Sequence, residues 1–429
     1  MPHVSSYYAA SANQKSHFES LSSDIKTHVC VIGGGFTGLN TAISLAEKNY
    51  DVVLIESEKI GWGASGRNGG QLISGFTFSD YFSKHLSFEE AHQIWKIGAV
   101  ATDIVRQRVN QYGISCDLKE GFIEVAMNAS QMRELIERKE DWQTKGYQHQ
   151  LSIVEESSLK DHVISDRYVG GLIDSGSGHL HPLNLCLGEA QAAKNLGVKI
   201  YEQTKALSFE AGEAVTIHTK EGSIKAENLV LAGNAYIGNL QKKLRRMIFP
   251  ASSCIIATEP LNDKMVNETL PSDMAVCDLN TILDYYRLSS DRRMLFGGRY
   301  NYSGAEPDDT GIRKHIRRRM LKVFPSLENL KIDYAWSGNV AVTMNRIPQL
   351  GKLDQNIFYA QGYSGHGVAP THAAAEIISN GIINEDKSLN ILNRVPHVQL
   401  PGGKWFSSPA MAIGMMYYQF RDLLSNYTK

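Results

Sequence analysis

The chain has 429 residues, 42% apolar and 21% charged, room for two or three globular domains at roughly 150 residues each. Its 44 basic residues stand against 45 acidic ones, so no net field is available to hold nucleic acid or an anionic membrane. No apolar run reaches the ~20 residues that span a bilayer, and the first residues lack the basic and apolar regions of a signal peptide, which reads as a soluble, cytoplasmic protein.

After a polar arm over 1–24, His28–Ile32 reads as a β-branched strand running into Gly33-Gly34-Gly35-Phe36-Thr37-Gly38. Leu39, Ala42, Ile43 and Ala46 then follow at helical spacing. Asp51–Glu56 is apolar on both faces, as parallel strands are, so the chain opens with a βαβ unit. Gly33, Gly35 and Gly38 form a Gly-x-Gly-x-x-Gly where a dinucleotide fingerprint sits, after a strand and opening a helix. There the amides around Phe36 and Thr37 face a pyrophosphate. Glu56 falls about 20 residues on, where a carboxylate takes a ribose hydroxyl and repels a 2′-phosphate. Ser57 follows it.

The next stretch, Gly61–Gln71, carries five glycines in ten residues, an entropic cost tolerated where backbone approaches a ligand closely. Gly63, Ala64, Ser65, Asn68, Gly69, Gly70, Gln71 and Leu72 are expected to line the cofactor, with Arg67 offsetting pyrophosphate charge. A nicotinamide cofactor needs no such loop, whereas an extended FAD does.

Phe88–Tyr112 and Ser130–Lys145 read as helices flanking a strand over Gly121–Met127, and Pro182 opens another helix that stops at Gly197. Short strands fill Val198–Leu231, the last ending at Gly233, which we add to the cofactor residues. Ala251–Tyr302 is strand-rich and includes a hairpin, Asp284–Leu288 turning through Ser289–Arg293 into Met294–Gly298. Arg317-Arg318-Arg319 reads as a solvated helix face. Asn356–Ala360 then feeds Gly362-Tyr363-Ser364-Gly365-His366-Gly367 and a helix over Thr371–Ser379. Amides near Gly365, His366, Gly367 and Val368 are placed to bond a flavin carbonyl. The five cysteines, Cys30, Cys116, Cys186, Cys254 and Cys277, show neither disulfide nor zinc spacing. His179 and His181 have no third ligand nearby, so no metal site is expected.

The fingerprint with Glu56, the Gly63–Gln71 stretch and the Gly362–Gly367 return resemble the FAD-dependent family of D-amino-acid, glycine and sarcosine oxidases. The resemblance runs almost end to end within one amine-oxidising branch, including Ser5–Asn13, His181–Leu185, Ala232–Tyr236, Leu283–Leu288 and Lys331–Tyr334. It implies an α/β fold: a discontinuous Rossmann-like FAD-binding domain over 25–85, 150–240 and 335–390, and a substrate domain with a mainly antiparallel sheet over 86–149 and 241–334. An extension over 391–429 follows. In sarcosine oxidase a cysteine in the C-terminal part holds the flavin covalently, but none follows Cys277 here, so dissociable, non-covalent FAD is expected. The lysine that helps hold a substrate carboxylate there is replaced by Ala369, which makes a small α-amino acid a less natural substrate.

The activity so implied is oxidative deamination of a primary amine to an aldehyde, ammonia and hydrogen peroxide, with dioxygen as acceptor. The flavin is the redox centre, and His366 and Gln71 are its expected neighbours. Tyr285, Tyr286, Trp336 and Tyr363 are candidate pocket walls, together with Tyr300 and Tyr302, while Arg287 or Arg299 is a candidate for a substrate carboxylate. Two alternatives remain at this point, oxidation of a different amine and a non-catalytic FAD-binding role.

Overall fold

The computed structural model describes residues 1–15, 17–77, 80–280, 283–301, 308–384 and 387–399, with 299–301 as backbone. Two sheets organise it. In the first, the order is Gln349–Asp354, Ile357–Gln361, Ser223–Leu231, Ile25–Ile32, Val52–Ile55 and Lys199–Tyr201, parallel except for the first. Residues alternate between faces. Val29, Val31, Val52 and Leu54 pack beneath the helices Phe36–Ala46, Pro182–Asn195 and Val368–Ile382. Cys30, Val53 and Ile55 pack on the opposite side with the hairpin Ser208–Glu210/Val215–His218. Burial on both faces is why these strands read as continuous apolar runs.

The second sheet runs Ile332–Val342, Phe249–Pro260, Arg293–Asn301, Asp284–Leu288, Ala275–Asp278, Lys119–Ala126, Gly170–His179 and Gln71–Leu72, with Leu151–Glu155 added beside Gly170–His179. Every pairing is antiparallel except Ala275–Asp278 with Lys119–Ala126. One face contributes Ile255, Ala257, Leu295 and Trp336 to the nucleotide-domain core. The other is covered by the helix Asp309–Val323, whose Ile312, Ile316, Met320 and Val323 recur at helical spacing.

Several sequence boundaries move. Leu151–Glu155, Gly170–His179 and Ile332–Val342 hydrogen-bond into the second sheet, although they fall in segments expected to belong to the nucleotide domain. The single helix expected over Phe88–Tyr112 is two, Phe88–Ala99 and Ala101–Tyr112, broken at Val100. Arg319 is not on a solvated face; its Nε donates to buried Asp284 at 2.5 Å.

The N-terminal arm has a structural role. A short helix, Tyr7–Ala10, capped by Ser6, seats two buried tyrosines against the main core. Tyr7 donates to Asp291 at 2.7 Å, Tyr8 meets Trp336 edge-on at 5.2 Å, and Ser11 lies 3.1 Å from His181 Nε2.

Candidate active site

Four parallel strands of the first sheet end in residues of one crevice: Ile32 runs into Gly33, Ile55 into Glu56, Leu231 toward Gly233, and Gln361 into Gly362. The carboxyl ends of parallel strands are where open α/β sheets bind ligands. Gly33 adopts φ +120°, and a Cβ there would lie 2.7 Å from the Ala232 carbonyl oxygen. Gly38 is still tighter, because a Cβ would fall 1.9 Å from the Gly33 oxygen. Only glycine lets this helix start so close to its strand.

The three glycine segments touch one another. Phe36 N donates to Ser65 Oγ at 3.0 Å, joining the fingerprint to the second loop. Thr37 Oγ1 lies 2.8 Å from Tyr363 OH, and Gly362 N donates to Asn234 Oδ1 at 2.9 Å, bringing in the third. Glu56 accepts from Gly34 N at 2.7 Å, Glu58 N at 2.9 Å and Ser57 Oγ at 3.1 Å; burial pushes its carboxyl above the usual range, and these bonds oppose the shift. Ser57 itself is exposed.

The helices Phe36–Ala46 and Val368–Ile382 begin at Gly35 and Gly367 with no side-chain cap. By contrast, Phe88–Ala99, Ala129–Thr144, Pro182–Asn195 and Asp309–Val323 are capped by Ser87, Asn128, His181 and Asp308. Two glycine-started helix ends facing one crevice, with a carboxylate at the end of the second strand, are the donor and acceptor set an FAD requires. The donor and acceptor chemistry of these segments suits such a cofactor: backbone amides at two glycine-started helix ends and the Glu56 carboxylate at the end of a strand.

Arg67 is buried beneath this loop, with Nε donating to Trp62 O at 2.6 Å and its guanidinium 4.1 Å from the Trp62 ring centre. Asn68 braces the loop internally, donating to Ala64 and Ser65 carbonyls and accepting from Gly70 N. Gly63 abuts Tyr236, Leu72 is fully buried, and Gln71 Nε2 donates to Val276 O at 2.8 Å.

Tyr285 enters the crevice from the second sheet. Its ring lies over Gly69 and Gly297, where added Cβ atoms would come within 2.6 and 2.2 Å, and its hydroxyl is 2.9 Å from Ser253 Oγ. Tyr286 faces the other way, as the strand's two-residue period requires. Buried beyond the sheet, it stacks on Phe296 at 5.1 Å and meets Tyr168 OH at 3.0 Å, so it is not a pocket wall. Arg287 faces inward but is spent on structure: Nε to Gly69 O at 2.8 Å, Nη1 to Leu288 O at 3.0 Å, and Nη2 to Leu180 O at 2.7 Å and Tyr8 OH at 3.2 Å. Trp336 is also buried, donating to Arg67 O at 3.0 Å. The side chains of Arg299 and Tyr300, and the whole of Tyr302, lie outside the described residues.

His366 Nε2 is 3.0 Å from the Gly75 carbonyl, and burial lowers its pKa, so the ring is neutral with its proton on Nε2. Ala369 is fully buried, with no cation in the position of the family lysine. Phe122, Ala275 and Cys277 form a small buried apolar cluster, against which Ile73, Leu283 and Tyr285 pack. Their signal was strand alternation, but recognising it required knowing which strands pair. Among the described residues no group of three or more His, Cys, Asp and Glu side chains is placed to hold a metal, and no helix is long and apolar enough to cross a membrane.

The model of the DAO family, described as FAD dependent oxidoreductase, matches residues 28–380. The chain belongs to this family. It binds FAD as an oxidoreductase of that family. It is 40% identical over 424 residues to gamma-glutamylputrescine oxidoreductase of Escherichia coli strain K12, covering 98% of this chain and 99% of the relative. A probable oxidoreductase, OrdL, of Haemophilus influenzae is 43% identical over 427 residues, 98% of this chain and 97% of its own. The crystal structure of glycine oxidase from Geobacillus kaustophilus shares the fold, with a TM-score of 0.72 at 18% identity over 87% of this chain and 99% of that one.

Proposed function

We propose that this FAD-dependent amine oxidoreductase oxidises the primary amine of gamma-glutamylputrescine in cytoplasmic putrescine breakdown. The products are gamma-glutamyl-gamma-aminobutyraldehyde, ammonia and, with dioxygen as acceptor, hydrogen peroxide. The observation that carries the reading is the extent of the match to the Escherichia coli enzyme, which leaves almost none of either chain uncovered.

Bound FAD supplies the two-electron acceptor. The protein's task is to present the amine without its extra proton, since a free alkylamine titrates near ~10, as lysine does. Tyr285, Phe122, Cys277, Ile73 and Leu283 form a largely apolar wall that penalises the ammonium, so the proton is left to solvent. His366 is held in the third glycine turn by its Nε2–H on the Gly75 carbonyl, and burial favours its neutral form. Loss of a hydride and a proton from the CH–NH2 unit leaves an imine, and water converts it to aldehyde and ammonia.

Anaerobic flavin absorbance tests the assignment, with gamma-glutamylputrescine added against putrescine, sarcosine and glycine. Rapid bleaching by the conjugate and much slower bleaching by putrescine is the expected result. Bleaching only by a different amine removes this substrate while leaving the oxidoreductase, and bleaching by none removes the catalytic reading.

A further inference from the structure

We infer that Glu124 and Arg138 form the receptor for the amino-acid end of the substrate, Glu124 taking its α-ammonium and Arg138 its α-carboxylate. This rests on the substrate reading above and assigns the residues by which the chain distinguishes the conjugate from a plain diamine.

Alternation along Lys119–Ala126 sends Ile123 and Val125 to the side covered by the helix Asp309–Val323, leaving Phe122 and Glu124 on the opposite side, the one Tyr285 shares. Phe122 packs with Cys277, Ile73, Leu283 and Tyr285, and Glu124 is the register partner of Cys277. A carboxylate therefore borders the apolar wall. Arg138 reaches it from the helix Ala129–Thr144, with Nη2 2.5 Å from Oε2 and Nη1 3.3 Å from Oε1; the two side chains keep 29% and 22% exposure. One turn further along that helix, Trp142 lies against Gly75, whose carbonyl accepts from His366. Glu124 and Arg138 both act electrostatically on His366 and on the Cys277 thiol, which places the pair in the neighbourhood of both.

A partly exposed ion pair adds little to stability. Its chemistry does suit a zwitterion. The carboxylate has lone pairs beyond those facing Arg138, and the guanidinium has donors beyond those facing Glu124. The α-carbon of a gamma-glutamyl group carries ammonium and carboxylate side by side, and laid head to tail against Glu124 and Arg138 they close a ring of four alternating charges. A substrate lacking one of the two charges brings a net charge to a pair that is already neutral, and a bare diamine cannot close the ring.

The test measures second-order rates of anaerobic flavin reduction with three amides of putrescine. These are the gamma-glutamyl conjugate, the glutaryl amide, which lacks the α-ammonium, and the 4-aminobutanoyl amide, which lacks the α-carboxylate. Wild type is expected to prefer the conjugate over each truncated amide by about tenfold or more, because a site with polar groups placed for a substrate group discriminates against the analogue that lacks it. Glu124→Gln should abolish the preference over the glutaryl amide and keep that over the 4-aminobutanoyl amide, and Arg138→Gln should do the reverse. Glu124→Asp, which keeps the charge with a shorter reach, should lose the first preference only in part. A structural pair would slow all three substrates by one factor and preserve the ratios, and that result overturns the inference, as does a wild type with no preference. Failure of the conjugate to bleach wild type at all overturns the substrate reading, and this inference with it, before any variant is compared.

Discussion

Nη2 of Arg287 lies 3.2 Å from the hydroxyl of Tyr8, 279 positions earlier in the chain, and the same guanidinium serves the carbonyls of Gly69, Leu180 and Leu288. It ties the N-terminal arm, the second glycine loop and the hairpin into one unit. Arg287→Met leaves those carbonyls without a donor, at about 1–3 kcal/mol for each buried group. We expect a lower thermal midpoint by circular dichroism and early loss of flavin as the glycine loop loosens. A variant melting like wild type but with a greatly raised KM would return Arg287 to the substrate site.

The contact also marks the limit of what the sequence reveals. The glycine turns were legible because each follows its own apolar strand, so Gly33, Glu56 and Gly362 take their meaning from neighbours within a few residues. That one of Tyr285 and Tyr286 must face away follows from strand period. Which one does is set by the room above Gly69 and Gly297, both distant in sequence from Tyr285 or on the opposite strand. Arg287 looked like a free cation because Gly69, Leu180 and Tyr8 give no local sign of converging on it. Sheet membership of Leu151–Glu155 and Gly170–His179 was hidden in the same way, since strand pairing is long-range.

Gly38→Ala is expected to yield protein without flavin. The added methyl would fall 1.9 Å from the Gly33 oxygen, so either the helix or the fingerprint turn must shift, and the backbone amides of that turn move with it. The ratio of flavin absorbance to protein absorbance after gel filtration reads this directly. Full occupancy would mean that the turn relaxes at no cost to the cofactor.

All flavin should remain in the supernatant after acid precipitation. The five cysteines are buried, and burial raises the thiol pKa of Cys30, Cys116, Cys186 and Cys277. A thiol held protonated is a poor nucleophile toward an isoalloxazine. A yellow, fluorescent pellet would instead establish a covalent flavin.

His181 makes stability depend on pH in one direction. Its Nδ1 accepts from Asn184 N at 3.1 Å as the cap of the helix Pro182–Asn195, and burial, with Arg287 nearby, pushes its pKa down to about 4. Protonation in the folded state would destroy the acceptor. The unfolded chain takes up that proton near ~6.5, so between about pH 6.5 and 4 it binds more protons than the folded one, and stability falls as pH is lowered. Above that window the contribution is constant. Within it, one proton bound by the unfolded chain alone costs about 1.4 kcal/mol for every pH unit of acidification. His179, lowered to about 3 by burial, acts in the same direction. His181→Asn keeps a cap acceptor without titrating, so its thermal midpoint should fall less than that of wild type between pH 7 and pH 5. Equal slopes for the two proteins would show that His181 contributes nothing to the acid sensitivity.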